Sequence, residues 1–409
     1  MIIRNKYLQK ILPFIDKPVI KVIVGIRRCG KTVLLSQIKE LVQNSGVEAE
    51  RIVELNFESF ASEPFKTAKA LYDHIRQKSA KQNGKKLYLF LDEIQEVPQW
   101  QKAIDSLFVD IACDIYITGS NSNLLSGELA TYISGRYVHF DVYPFSFAES
   151  VEYSAQLGRG KSTEELFDEY LQLGGLPQRF LFEDKSAVRT YLSDIFDTVV
   201  IKDILLRGKI ENPDLLRRLT AFLLDNVGNT FSASSVRGKL ASEGVKTSVP
   251  TLMNYIAAIK NAMIINAAPR YDIKGKALLS TGEKYYAADL GLRNIVKSSD
   301  MVDLSKLYEN AVFNEMLSRG WEVCVGKEGE REVDLICVKD GKKVYVQVTY
   351  LLADKAVTER EFRPLREIDD NFPKYVISGD RHDLSAGGII HKNIITFLTE
   401  DRADAGALW

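Results

Sequence analysis

The run Lys21-Val22-Ile23-Val24-Gly25-Ile26-Arg27-Arg28-Cys29-Gly30-Lys31-Thr32-Val33-Leu34-Leu35-Ser36-Gln37-Ile38 changes character twice. Residues 21–24 are short and β-branched, which predicts a buried strand. Residues 25–32 fit the spacing GxxxxGK[ST], and a helical pattern starts at Val33. Strand, glycine-rich loop and helix stand in the order a phosphate-binding loop requires. Gly25 and Gly30 let backbone N–H groups curl around a β-phosphate, and the helix N-terminus adds its positive dipole end. Lys31 supplies a point charge for the β- and γ-phosphates, and the Thr32 hydroxyl is a ligand for Mg²⁺. Ile26, Arg27, Arg28, Cys29 and Val33 complete the expected cofactor-binding segment, with ATP and Mg²⁺ as its cofactors.

A nucleotide-hydrolysing site needs a second element, and Lys86-Leu87-Tyr88-Leu89-Phe90-Leu91-Asp92-Glu93 supplies it. Five apolar residues end in two adjacent carboxylates. Asp92 at the strand end can reach the Mg²⁺ shell, and Glu93 can activate the attacking water. A further strand, Asp114-Ile115-Tyr116-Ile117-Thr118, ends in Gly119-Ser120-Asn121. A polar residue there would lie between the two motifs, so Ser120 or Asn121 is the candidate γ-phosphate sensor. The run 51–57 adds another strand, and the expected architecture is a parallel αβα sandwich.

Several later runs carry a family resemblance. They are Ile117-Thr118-Gly119-Ser120-Asn121-Ser122-Asn123-Leu124-Leu125, Ser134-Gly135-Arg136-Tyr137, Tyr143-Pro144-Phe145-Ser146-Phe147-Ala148-Glu149, Leu173-Gly174-Gly175-Leu176-Pro177 and Lys284-Tyr285-Tyr286-Ala287-Ala288-Asp289-Leu290-Gly291-Leu292. With Asp197-Thr198-Val199-Val200-Ile201-Lys202-Asp203-Ile204, the chain resembles a large prokaryotic family of AAA-type ATPases with a C-terminal domain of unknown function. The resemblance spans essentially the whole chain. It implies ATP binding and hydrolysis by an AAA+-like core, and makes Arg136 a phosphate-facing or neighbour-facing catalytic arginine. The helical residues 151–205 resemble the lid that follows such cores.

Composition excludes several classes. The chain has 409 residues, more than one hydrophobic core usually supports. It is 45% hydrophobic and 27% charged, as globular proteins are. No run approaches a membrane span, and the charged N-terminus has no signal-peptide core. Cys29, Cys113, Cys324 and Cys337 show no metal or disulfide spacing. A cytoplasmic protein without membrane contact is expected. The net charge is −1, but residues 202–284 carry thirteen Lys and Arg against seven Asp and Glu, so that stretch is +6 and the remainder −7.

The basic stretch predicts three helices near 214–224, 232–241 and 247–256, then a hairpin turning at 272–276. Ser232 and Ser248 are expected caps, with Pro250 in the first turn. That order predicts a winged helix exposing Lys246, Thr247, Thr251, Asn254 and Lys260, with Arg270, Lys274 and Lys276 on the wing. Such a surface suits double-stranded DNA. Winged helices also dock proteins, so a signalling ATPase with a protein partner is the rival reading.

The last part predicts a helix at 303–317 and strands at 321–325, 332–338 and 343–349. Glu309 and Asp334 in this order resemble the PD-(D/E)xK nuclease core. The ExK position instead holds Gln347-Val348-Thr349, so a nuclease-like fold without cleavage is expected, unless Lys342 or Lys343 supplies the missing cation. An active metal-dependent nuclease using Glu309 and Asp334 is the alternative. The expected domains are 1–150 (AAA-type core), 151–205 (lid), 206–285 (winged helix) and 286–409 (restriction-endonuclease-like α/β domain), in a homo-oligomer.

Overall fold

The computed structural model describes residues 2–125, 135–206, 210–296, 303–329 and 331–400. Ser134 of the SGRY run lies outside them. The chain divides into two compact units, Met1–Tyr143 with Asn261–Met263, and Pro144–Lys260 with Ile264–Trp409.

The first unit is built on strands β1 (Ile20–Val24), β2 (Ile52–Asn56), β3 (Leu87–Asp92), β4 (Cys113–Gly119) and β5 (Tyr137–Asp141). All pairings are parallel, in the order β2-β3-β4-β1-β5. Every residue of β1 and β3 is buried, which is why both read as unbroken apolar runs rather than alternating ones. Helices α1 (Asn5–Ile11), α2 (Lys31–Asn44), α3 (Ala68–Ala80) and α4 (Trp100–Asp110) accompany the sheet. Along α2, Leu34, Leu35, Ile38 and Val42 recur at helical spacing and are buried. Such side chains contribute about 1.5–3 kcal/mol each when fully buried. Because β4 lies between β1 and β3, the glycine loop and the Asp92-Glu93 pair flank the end of β4. The polar residues at that end are therefore central, as the sequence predicts.

The second unit opens with α5 (Phe147–Gln156), α6 (Thr163–Leu173) and α7 (Lys185–Thr198). Capping boxes start the first two, pairing Ser146 with Glu149 and Ser162 with Glu165. The expected lid helices share a hydrophobic core with the C-terminal sheet. Phe147, Leu166, Phe167 and Tyr170 pack in one cluster with Tyr286, Tyr308, Val312 and Val346. The Leu173-Gly174-Gly175 run has a definite partner. Asp289, fully buried, accepts the N–H groups of Gly175 (2.7 Å), Gly291 (2.9 Å) and Leu292 (3.2 Å). A Cβ on Gly174, at φ +71°, would meet Asp289 Oδ1 at 2.0 Å. Two of the family-like runs are thus one interlock.

Helices α8 (Pro213–Asp225), α9 (Ala233–Ser242) and α10 (Val249–Asn261) follow, then β6 (Ile265–Asp272) and β7 (Ala277–Ala287). Ser232 Oγ accepts from Ser235 N–H at 3.3 Å, and Ser248 Oγ from Thr251 N–H at 3.1 Å, the expected caps. Next come α11 (Leu290–Ile295), α12 (Leu304–Ser318), β8 (Glu322–Glu328), β9 (Arg331–Lys339), β10 (Lys342–Val348), α13 (Lys355–Arg366), β11 (Lys374–Ser378), β12 (Ile390–Asn393) and α14 (Ile394–Thr399). The sheet order is β12-β11-β10-β9-β8-β6-β7. Here the hairpin differs from a free wing. β6 pairs in parallel with β8, so the hairpin is part of the seven-stranded sheet, and the expected boundary at 285/286 falls inside β7.

Candidate active site

β1 delivers the chain to the sheet's C-terminal edge, where Arg28 (φ +67°) and Gly30 (φ +103°) curl the loop back. Gly25 is required by close approach instead. A Cβ there would meet the Val142 carbonyl oxygen at 2.2 Å. Gly30 is the N-cap of α2 and offers no side-chain cap, so the first N–H groups of the helix stay available for an anion. Lys31 Nζ donates to the carbonyls of Gly25 (3.0 Å) and Ile26 (3.2 Å), folding over the loop. Arg27 pairs with Glu58 at 3.0 Å. Ile26 and Cys29 are buried, and burial pushes the Cys29 thiol up. Arg28 and Thr32 are exposed, and Val33 is half-buried. Behind the loop, buried Arg4 donates to the carbonyls of Cys29 (3.0 Å) and Tyr143 (3.1 Å). Nothing in the N-terminal sequence signals that brace.

Asp92 ends β3 and gathers three donors: Thr32 Oγ1 at 2.8 Å, Asn56 Nδ2 at 3.0 Å and Thr118 Oγ1 at 2.5 Å. Burial raises its pKa, against the lowering effect of the Thr118 and Thr32 hydrogen bonds. Glu93 is left-handed (φ 53°, ψ 49°) and donates its N–H to Thr118 Oγ1 at 2.9 Å. Its carboxylate stands 3.7 Å from Lys31 Nζ on one side and accepts from Gln95 Nε2 on the other. The structure therefore brings Lys31, Thr32, Asp92 and Glu93 together. An uncapped helix end, a lysine and two oxygen ligands suit a magnesium-bound polyphosphate.

Three members of this group escaped the sequence reading. Thr118, two residues before Ser120, links the Asp92 carboxylate to the backbone N–H of Glu93 through one hydroxyl. It was legible as the polar residue in the apolar run 115–118. Asn56 meets Asp92 only because β2 and β3 pair in register, which the sequence does not show. Gln95 carried no signal beyond its nearness. Ser120 and Asn121 are buried just beyond β4.

Arg136 is placed elsewhere. Its carbonyl accepts from Ile20 N–H at 2.8 Å, at the start of β1, whereas the loop follows the end of β1. Five parallel residues at about 3.3 Å each separate the two edges. Arg136 pairs with Asp105 at 2.8 Å and is nearly half exposed. By this register Arg136 stands at the edge of the sheet away from its own glycine loop.

In the second unit, buried Glu309 on α12 is surrounded by cations and a hydroxyl. Lys284 Nζ lies at 3.3 Å, Lys306 Nζ at 2.9 Å and the Tyr286 hydroxyl at 2.6 Å. Lys284 also pairs with Glu332 at 2.5 Å. Burial opposes the Lys284 charge, but Glu309, Asp334 and Glu332 together hold its pKa above the usual range. Asp334 accepts from Val348 N–H at 2.9 Å, and its pKa is pushed up to about 8 by burial and then by the Glu309 charge. Gln347 bridges the Asp334 N–H (3.3 Å) and Glu361 (3.0 Å). Lys343 is instead paired with Asp370 at 3.5 Å. The cations of this cluster are Lys284 of β7 and Lys306 of α12, in place of the expected Lys342 or Lys343. Among the described residues, no group of three or more His, Cys, Asp or Glu is arranged to hold a metal.

On the proposed DNA surface, Lys246, Asn254, Lys274 and Lys276 are exposed, and Thr247 and Thr251 are half-buried. Lys260 pairs with Glu283 at 3.5 Å, and Arg270 is half-buried on β6.

Residues 17–151 match the sequence profile of an AAA domain, and residues 164–303 match a domain of unknown function. With the loop, the strand order and the paired carboxylates, the first unit is an AAA-type P-loop ATPase domain. The chain is 39% identical over 383 residues, 94% of both chains, to an uncharacterized protein of Haemophilus influenzae. It belongs to that protein's family. It is also 29% identical over 360 residues to an uncharacterized protein of Methanocaldococcus jannaschii, covering 84% of this chain and 77% of that one. A Walker-type ATPase of Pyrococcus abyssi is a structural neighbour at 15% identity and TM-score 0.48, covering 72% of this chain and 96% of that chain. Among the described residues, no helix is long and apolar enough to cross a membrane.

Proposed function

We propose that the protein binds ATP with Mg²⁺ and hydrolyses it to ADP and phosphate. The observation that carries this reading is the linked set Thr32–Asp92–Thr118–Glu93, in which one hydroxyl joins the metal-side carboxylate to the backbone N–H of the residue that bears the base. Thr32 and Asp92 would hold Mg²⁺, which when bound neutralises charge on the β- and γ-phosphates. Lys31 exchanges the loop carbonyls for phosphate oxygens, and the N–H groups of the loop and α2 orient the chain of phosphates. Glu93 accepts the proton of the attacking water as its oxygen bonds to the γ-phosphorus and the bond to the β,γ-bridging oxygen breaks. In Glu93→Gln, hydrolysis should fall by about 10²-fold or more while ATP stays bound, the scale of a lost general base. Wild-type turnover in that variant would refute the assignment.

The same reading makes the active form a homo-oligomer. Arg136, exposed and on the edge away from its own loop, suits contact with a neighbour's nucleotide. Mixed Arg136→Ala and Lys31→Ala proteins should then regain activity, and co-assembly without recovery would exclude a trans role. We further read α8–α10 with the β6–β7 hairpin as a winged helix joining hydrolysis to double-stranded DNA, supported by exposed Lys246, Asn254, Lys274 and Lys276. Retention on duplex DNA should then weaken steeply with salt, and no retention at low salt would favour a protein partner. The C-terminal sheet is read as nuclease-like without cleavage, and the protein as cytoplasmic, consistent with four free cysteines.

A further inference from the structure

Gln95 follows the paired carboxylates on a single 3₁₀ turn, Ile94–Glu96. Its Nε2 donates to Glu93 Oε2, while its Oε1 is buried without a hydrogen-bond partner. An unpaired buried acceptor costs about 1–3 kcal/mol. Flipping the amide would not relieve this, because the oxygen would then face the carboxylate. The orientation is therefore dictated by Glu93. A Cβ on Gly119 would meet Gln95 Oε1 at 2.6 Å and Leu124 Cδ1 at 1.9 Å. The glycine that ends β4 thus makes the space in which this amide lies.

The arrangement around Glu93 is two-sided. The Lys31 ammonium stands 3.7 Å from one oxygen, wider than a hydrogen-bonded ion pair, and Gln95 holds the other. The left-handed backbone at Glu93 stores further strain, of order 1 kcal/mol or more. If the carboxylate closed on Lys31, the pair would consume both the base and the phosphate-binding cation. We infer that Gln95 is a positioning residue for hydrolysis. It holds the Glu93 carboxylate in place for water and keeps it off Lys31, so that Lys31 is free to pass to the phosphates. The inference rests on the hydrolytic reading above and adds a residue to it.

The test measures steady-state ATP hydrolysis by the full-length protein and binding of a fluorescent ATP analogue. The variants are Gln95→Leu, Gln95→Glu, Glu93→Gln and the Glu93→Gln/Gln95→Leu double variant. Gln95→Leu keeps the bulk without the amide. It should lower kcat about tenfold or more, with KM and analogue affinity within about threefold. Gln95→Glu keeps the shape, places like charge beside Glu93, and should lose at least as much. In the Glu93→Gln background, Gln95→Leu should add nothing, because a residue acting only through Glu93 has no role once that base is gone. The inference is overturned if either single variant keeps kcat within twofold of wild type. It is equally overturned if the double variant loses a further tenfold, or if Gln95→Leu and Gln95→Glu both lose analogue binding together with thermal stability. Wild-type turnover in Glu93→Gln would instead refute the hydrolytic reading itself.

Discussion

Two buried pairs of carboxylates, Asp92 with Glu93 and Glu309 with Asp334, stand in different chemical states. All four residues are buried. Around the first pair, most partners are neutral donors: Thr32, Asn56, Thr118 and Gln95. The nearby cation, Lys31, is divided between loop carbonyls and a loose contact with Glu93. Around the second pair, Lys284 and Lys306 both reach Glu309, and Tyr286 adds a hydroxyl. Hydroxyls and amides satisfy a carboxylate while leaving its charge for an incoming cation. Ammonium groups cancel that charge. The first pair is built to receive something, and the second is already complete.

The sharpest way to break this contrast is to remove the lysine from each. Lys284→Met leaves Glu309 and Glu332 without a shared counter-ion inside the second unit. Breaking a buried pair by deleting one partner costs about 3–5 kcal/mol, so the thermal or denaturant midpoint should drop sharply. Lys31→Met should move the midpoint little and abolish ATP binding. Equal stability losses in the two variants would mean that the first site is as self-neutralised as the second.

The next effect is a pH dependence. Asp334 has its pKa pushed up to about 8, against about 3.9 for an unfolded aspartate. Between those values the folded chain holds a proton that the unfolded chain has released. The contribution to stability is complete below about pH 4 and is lost as pH rises through about 8, at up to about 1.4 kcal/mol per unit. Asp334→Asn can keep the bond from Val348 N–H but does not titrate. Its stability relative to wild type should therefore climb from pH 5 to pH 8 in denaturant titrations. A constant difference across that range would show that Asp334 is ionised in the folded chain.

Much of the first site was legible because its parts are local in sequence. A loop and the helix that follows it fix Gly25, Gly30, Lys31 and Thr32 within eight residues, and an apolar strand points to its terminal Asp92-Glu93. What was not legible depends on register. Asn56 meets Asp92 because β2 and β3 pair without offset, and Arg136 misses the phosphate edge because β5 begins beside the start of β1. In the second unit the helix and strands around Glu309 and Asp334 were readable to within a few residues. Lys284 was not readable as their partner, because it lies 25 residues from Glu309 and 50 from Asp334 on a strand read as the end of another domain. A sheet continuous through β6 and β7 brings them together, and no local pattern announces that.

The smallest expected effect is none at all, and it bears directly on the second pair. A cutting site would need metal-binding carboxylates and a cation beside the scissile phosphate. Here Glu309 is committed to two lysines, Asp334 is pushed toward its neutral form, and Gln347 is engaged by the Asp334 N–H and Glu361. Lys284 would have to abandon both the buried Glu309 and the half-buried Glu332 to admit a metal, leaving two negative charges short of a counter-ion before any was bound. Supercoiled plasmid incubated with the protein and Mg²⁺ or Mn²⁺ should therefore stay supercoiled, with Asp334→Ala behaving identically. Nicking that disappears in Asp334→Ala would show that the lysines yield to metal, and that the two carboxylate pairs differ in degree rather than in kind.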